Sequence, residues 1–290
     1  MAVIVSVIGR GRQGVVSLGG VNGRITTGWV DIAGMTAYTA LPVGVRRPVG
    51  VLVAGEIFGV SGYVRRMADR LAGLGHAVVV PDFNHRHGLR AGRSAASGAG
   101  GVVPLAVSLT VDPVTGGPKG RVVELPADAA GRERGLELAW LLRREEVLSD
   151  AGAALEHLRQ VGADPAAAVG FSLGGHVVCS VAGELGLRAA VALYPGWLTG
   201  TELPLSRPVP TLELAARAAG LSAGRLVVLL GADDPIIDAG QQRAIAERLE
   251  TVAFAGAGHG FAADERDSFH ADSAREAWKL IEEVLGRAGE

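Results

Sequence analysis

From Val49 to the C-terminus, short apolar runs alternate with segments of helical periodicity, and this alternation restricts the fold more than any other feature of the chain. Strand-like runs fall at VGVLVAGEIFG (49–59), HAVVVPDF (76–83), AAAVGF (166–171), RAAVALYPG (188–196), GRLVVLLGADD (224–234) and TVAFAGAGHGF (251–261). Between them lie helix-like segments at 61–75, 136–162, 173–186 and 239–249, and a last one at 268–289. Strands separated by helices form βαβ units around a mostly parallel sheet. The segment 136–162 reads as two helices or one that bends. Residues 1–48 differ, carrying β-prone pieces such as GVVSLG and TAYTALPV between glycines, and read as antiparallel edge strands of the same sheet. With 290 residues, 48% of them hydrophobic, one α/β domain over 1–290 can bury a substantial core.

One stretch resists this pattern. Residues from about 85 to 135 are rich in Gly, Ser, Ala and Pro and lack sustained periodicity. Such a length is too great for an ordinary connection, so it reads as a lid over a site or an excursion whose removal changes substrate range more than folding.

The chemistry starts at AVGFSLGGHVV (168–178). Gly170, Ser172 and Gly174 spell G-x-S-x-G between a strand and a helix, the context of a nucleophile elbow. In a chain with 43 glycines the pattern alone is weak, and a small residue in a glycine-rich turn is its bland alternative. A serine nucleophile needs a base and an acid to orient it, and in this sheet type both follow in the order nucleophile, acid, histidine. His259, in GAGHGF after a strand, is the candidate base; His176 packs along the helix after Ser172, and His270 reads as solvated. LLGADDPIID ends a strand in Asp233 and Asp234; Asp234 is preferred on spacing, with Asp233 as the alternative.

The chain resembles the dienelactone hydrolase family of α/β hydrolases through VAGEIFGVSGYVRRMADRLAGLGHAVVVPDF, VGFSLGGHVV, LLGADDPIID and AGAGHGF, from about Trp29 to the C-terminus. The resemblance implies an α/β-hydrolase fold with helices on both faces of the sheet. It implies Ser172 as nucleophile, Asp234 as acid, His259 as base and the backbone N–H groups of Ile57 and Leu173 as oxyanion hole. Glu56 is placed beside the nucleophile, polarising the site or binding substrate; its plain alternative is a carboxylate satisfied by backbone donors. Two departures stand out: Ser172 occupies the position of the family's usual cysteine, and Ala263 the position of an arginine that holds a substrate carboxylate. Arg266, or an arginine of the glycine-rich excursion, is the candidate replacement.

The expected activity is cleavage of a small-molecule ester, lactone or thioester through an acyl-Ser172 intermediate, without cofactor or metal. Acyl transfer, a lyase or cyclase reaction on the same triad, and ligand binding without turnover are the alternatives. With 28 Lys and Arg against 30 Asp and Glu, no nucleic-acid partner is expected, and no apolar run reaches about 18 residues, so no membrane partner is either. A homodimer is left open. Cys179 is the only cysteine, which fits a reducing compartment, the cytoplasm, and it reads as a small buried hydrophobe. IGRGRQG (8–14) matches a dinucleotide fingerprint without the helix that should follow. HRHG (85–88) offers two histidines that read as solvated rather than ligating, and Trp140, Trp197 and Trp278 read as core or rim packing.

Overall fold

A computed structural model describes residues 17–22, 25–87, 107–111, 118–221 and 224–289. The motif at 8–14 and, within the glycine-rich stretch, residues 88–106 and 112–117 lie outside these. The strands are β1 (Ser17–Asn22), β2 (Ile25–Ile32), β3 (Met35–Pro42), β4 (Val49–Ala54), β5 (Ala77–Pro81), β6 (Val107–Val111), β7 (Pro118–Val123), β8 (Asp164–Phe171), β9 (Ala189–Leu193), β10 (Arg225–Gly231) and β11 (Glu250–Phe254). The helices are α1 (Gly62–Gly73), α2 (Ala129–Ala139), α3 (Arg144–Gln160), α4 (Leu173–Leu185), α5 (Thr211–Leu221), α6 (Ala239–Ala246) and α7 (Ala271–Arg287).

Nine strands make one sheet in the order β1-β2-β3-β5-β4-β8-β9-β10-β11. The first three are antiparallel, β3 pairs antiparallel with β5, and every neighbour from β5 to β11 is parallel. All five residues of β5 and of β9 are buried, which explains their uninterrupted apolar sequences: a parallel strand is covered on both faces. The crossover from β4 through α1 to β5 runs toward one edge, whereas those ending in β8, β9, β10 and β11 run toward the other. Right-handed crossovers in opposite directions place their helices on opposite faces. Accordingly α3 packs on α4 and α4 on α5, while α7 returns to the α1 face, where Arg70 stacks 3.9 Å above the Trp278 ring. Strand order reverses between β4 and β8, and the crevice at their carboxyl ends is where an open α/β sheet takes ligands.

The sequence expectations need correction in four places. The stretch 85–135 is not irregular throughout: β6 and β7 form an antiparallel pair, and α2 starts at Ala129 under an Asp128 cap. Val123, Leu125 and Leu138 form with Phe58 a small separate core, so cutting through to residue 135 would remove packing as well as a cover. Trp140 is 47% exposed rather than packed, because it terminates α2 just before the break that separates α2 from α3. His85 and His87 are not solvated: His85 Nε2 lies 3.3 Å from Asp150 Oδ2, and His87 is buried beside Glu146. The last strand stops at Phe254 and the last helix starts at Ala271, with His270 as its N-cap accepting from the Ser273 N–H.

Candidate active site

β4 and β8 end side by side, with Ala54 opposite Gly170, so the segments leaving them share one crevice. Ser172 leaves β8 with φ 53° and ψ −115°, a strained conformation for a residue bearing a side chain. Its N–H donates to Leu193 O, and its hydroxyl caps nothing in the helix that follows. The flanking glycines have a steric cause. A Cβ on Gly170 would lie 2.1 Å from Gly174 O, and one on Gly174 would lie 2.1 Å from Ala54 O. Only hydrogen at both positions lets the turn close against β4. Leu173 is the first residue of α4, where backbone N–H groups have no intrahelical acceptor.

Ser172 Oγ lies 2.8 Å from His259 Nε2, and His259 Nδ1 lies 2.8 Å from Asp234 Oδ2. A carboxylate only accepts, so Nδ1 carries the proton and Nε2 is left to accept from the serine hydroxyl. Asp234 Oδ1 accepts from the N–H groups of Ile236 (2.8 Å) and Ile237 (3.1 Å), which fix the carboxylate in the loop after β10. Asp233, the alternative acid, points into solvent. The His259 ring meets the Tyr194 ring edge-on at 5.2 Å, and Tyr194 packs in turn against Phe261.

These side chains open into a cavity of about 760 Å³ whose lining includes Glu56, Ile57, Phe58, Ser172, Trp197 and His259. Leu136 and Arg132 of α2 and Ala127 before it add to one side, so part of the glycine-rich region does border the site. Ile57 is held from two directions. Val60 N–H donates to Val123 O and Leu125 N–H to Phe58 O, tying the loop after β4 to β7, and a Cβ on Gly135 of α2 would come within 2.5 Å of Ile57 O.

Glu56 is buried beside this loop, and Arg266 Nη2 donates to its Oε2 while the guanidinium lies over Phe58. The plain alternative of backbone satisfaction is therefore not what the site contains. Oε1 has no partner among the described residues, and burial pushes the carboxyl above its ordinary range against the pull of Arg266 and His259. Ala263, four residues after His259, is fully buried, whereas Arg266 lines the cavity. The cavity residues Arg132 and Ile236 carried no readable signal, being an arginine among several in an aperiodic stretch and an ordinary apolar residue after a turn. No group of three or more His, Cys, Asp or Glu side chains suited to a metal occurs among the described residues.

Comparison with known proteins agrees with this architecture. The profile of the Dienelactone hydrolase family matches residues 35–289. A Synechocystis sp. protein assigned the name carboxymethylenebutenolidase is 25% identical over 270 residues, 88% of this chain and 92% of its own. A Bradyrhizobium sp. protein assigned as a 2-oxo-3-(5-oxofuran-2-ylidene)propanoate lactonase is 25% identical over 268 residues, 88% of this chain and 91% of its own. Among solved structures, one from Klebsiella pneumoniae assigned as a dienelactone hydrolase superposes with a TM-score of 0.67 at 23% identity, covering 91% of this chain and 99% of the other. With the profile spanning nearly all of the described chain and the fold shared over its length, the protein belongs to the dienelactone hydrolase family of α/β hydrolases.

Proposed function

We propose that the protein hydrolyses a small-molecule ester, lactone or thioester through a covalent acyl-Ser172 intermediate. The observation that carries this reading is the hydrogen-bonded run Ser172–His259–Asp234 at the mouth of a large cavity. His259 Nε2 takes the hydroxyl proton as Ser172 Oγ attacks the carbonyl carbon, and the oxyanion is met by the N–H groups of Ile57 and Leu173. When the tetrahedral species collapses, the leaving oxygen or sulfur takes the proton from His259. Water then attacks the acyl-serine by the same route in reverse roles, freeing the acid and Ser172. Asp234 keeps the proton on Nδ1 and stabilises the imidazolium in both halves.

A serine hydroxyl is scarcely ionised near neutral pH, so attack depends on His259 within the step rather than on a stored thiolate. Glu56 is thereby released from activating the nucleophile. Its carboxyl, held by Arg266, polarises the cavity floor and meets polar groups of the substrate. The name of the Bradyrhizobium relative makes lactones carrying a carboxylate an apt first group to assay, with Arg266 as the cation that would face that group. Ala127, Arg132 and Leu136 act as the inner face of a cover within one domain. The described residues contain no helix long and apolar enough to cross a membrane, and the cytoplasm is the compartment we assign to the chain. Burial pushes the single thiol, Cys179, up to about 12, in keeping with an inert core residue.

The test is fluorophosphonate labelling read by peptide mass spectrometry, with an ester and lactone panel on wild type and Ser172→Ala. Labelling at Ser172 and loss of turnover in the variant are expected. Modification elsewhere, or unchanged turnover, would overturn the mechanism.

A further inference from the structure

His176 lies one helical turn beyond Ser172, fully buried, and has no place in the chemistry above. Its surroundings are polar. Nδ1 lies 2.9 Å from Gly196 O and Nε2 2.8 Å from Thr211 Oγ1, with Ser206 Oγ 3.2 Å from Nε2. A carbonyl only accepts, so Nδ1 bears the proton, and Nε2 accepts from the Thr211 hydroxyl. Ser206 Oγ donates to Trp197 O at 3.0 Å. Arg144, buried and without a carboxylate within ion-pair distance among the described residues, donates to Thr211 Oγ1, Leu205 O and Val209 O. Every direction in the cluster is thereby assigned: Arg144 to Thr211, Thr211 to His176, His176 to Gly196, Ser206 to Trp197.

The two carbonyls at the receiving end belong to the cavity wall. Gly196 and Trp197 both line the pocket that holds Ser172 and His259. The segment they sit in needs holding, because Tyr194 (φ 39°) and Trp197 (φ 57°) adopt left-handed backbone that bulky residues avoid. Conformations of that kind persist only where their surroundings enforce them. Part of the enforcement comes from α4, the helix that Ser172 precedes, through His176 on Gly196 O, and part from Ser206 on Trp197 O. Burial lowers the His176 imidazole to about 4, which keeps the ring neutral and the donor pattern fixed through the neutral range.

We propose that His176, Thr211, Ser206 and Arg144 form a positioning apparatus that locks the Gly196–Trp197 wall at a fixed distance from Ser172 and so sets the bulk of the group the site admits. The proposal rests on the serine-hydrolase reading of the site, and Trp197 is its specificity-determining residue. The imidazole touches neither substrate nor reacting atoms; it acts through the wall.

The test compares Ser172 labelling rates for a small and a branched alkyl fluorophosphonate in wild type, His176→Leu, His176→Asn and Ser206→Ala. His176→Leu and Ser206→Ala are expected to change the branched-to-small rate ratio about tenfold, a step comparable to one methylene in a substrate pocket, and the small-reagent rate by less than about twofold. His176→Asn, whose amide can still donate to Gly196 O, should restore most of the ratio. Ser206→Ala loses a single hydrogen bond and keeps the test alive if His176→Leu does not fold. Acrylamide quenching of Trp197, taken as the difference from each variant's Trp197→Phe counterpart, reads the wall without chemistry and should rise in the same variants. An unchanged ratio, an equal slowing of both reagents, or unchanged quenching overturns the proposal. Absence of Ser172 labelling in wild type would instead overturn the hydrolase reading, with the quenching series still deciding whether the cluster holds the wall.

Discussion

Two histidines in this molecule make nearly the same hydrogen bonds. His259 and His176 each set Nδ1 against an oxygen and Nε2 2.8 Å from a hydroxyl. What separates them is the oxygen and the solvent. His259 faces a carboxylate and the cavity, so an imidazolium there would be matched by charge and its proton could reach a substrate. His176 faces a neutral carbonyl, lies beside the Arg144 cation and is sealed from solvent, so a proton gained there would be doubly opposed. A histidine–hydroxyl contact is thus no mark of a catalytic base until its far side and its access are known.

Removing the oxygen proposed as nucleophile should break the comparison most violently. Ser172→Ala is expected to lower kcat/KM for any ester by about 10⁶-fold, whereas Thr211→Val, which removes the matching hydroxyl from His176, should leave a small acetate ester within about threefold of wild type. Steady-state kinetics on both variants checks this. Asp234→Asn comes next, with a loss of about 10⁴-fold as the imidazole loses its oriented tautomer, and no counterpart at His176 can show such an effect. Gly174→Ala tests the frame both histidines share. With a Cβ 2.1 Å from Ala54 O, thermal unfolding should reveal a loss of about 3 kcal/mol or more.

The smallest effect concerns pH. The folded-state pKa of His176 is depressed to about 4 from an ordinary value of 6.5, so its contribution is fully present above pH 6.5 and is lost as pH falls toward 4. The shift corresponds to about 3 kcal/mol at most, and His176→Asn should flatten the fall of Tm across that window. A variant that keeps the wild-type slope would mean that another group governs acid stability.

The sheet and the three separated pieces of the candidate site were legible because each was written locally. Parallel strands buried on both faces spell apolar runs, and an elbow closing against β4 admits only glycine at 170 and 174. The order serine, acid, histidine did the rest. The pairing of β6 with β7 was missed although VSLTV alternates apolar and polar residues, because a five-residue run is short and the glycine-rich segments around it set the reading of the whole stretch. The His176 cluster was missed for a different reason. An apolar helix with one histidine reads as a packed face, and Ser206, Thr211 and Arg144 stand 30 to 35 residues away in the chain, joined only by the fold. Likewise the partnership of Glu56 with Arg266 spans 210 positions and left no pattern to read.

The ties between β7 and the loop after β4 carry a consequence for kinetics. Because Val123 and Leu125 bond to the very turn that presents Ile57, and α2 presses on the Ile57 carbonyl, the proposed cover and the proposed oxyanion amide belong to one mechanical unit. Under the proposed mechanism, a substrate long enough to push against Leu136 therefore loads the amide that would meet the transition state. Chain length at the far end of a ligand should then register in turnover number as well as in affinity, making the rim of the cavity a lever on the rate.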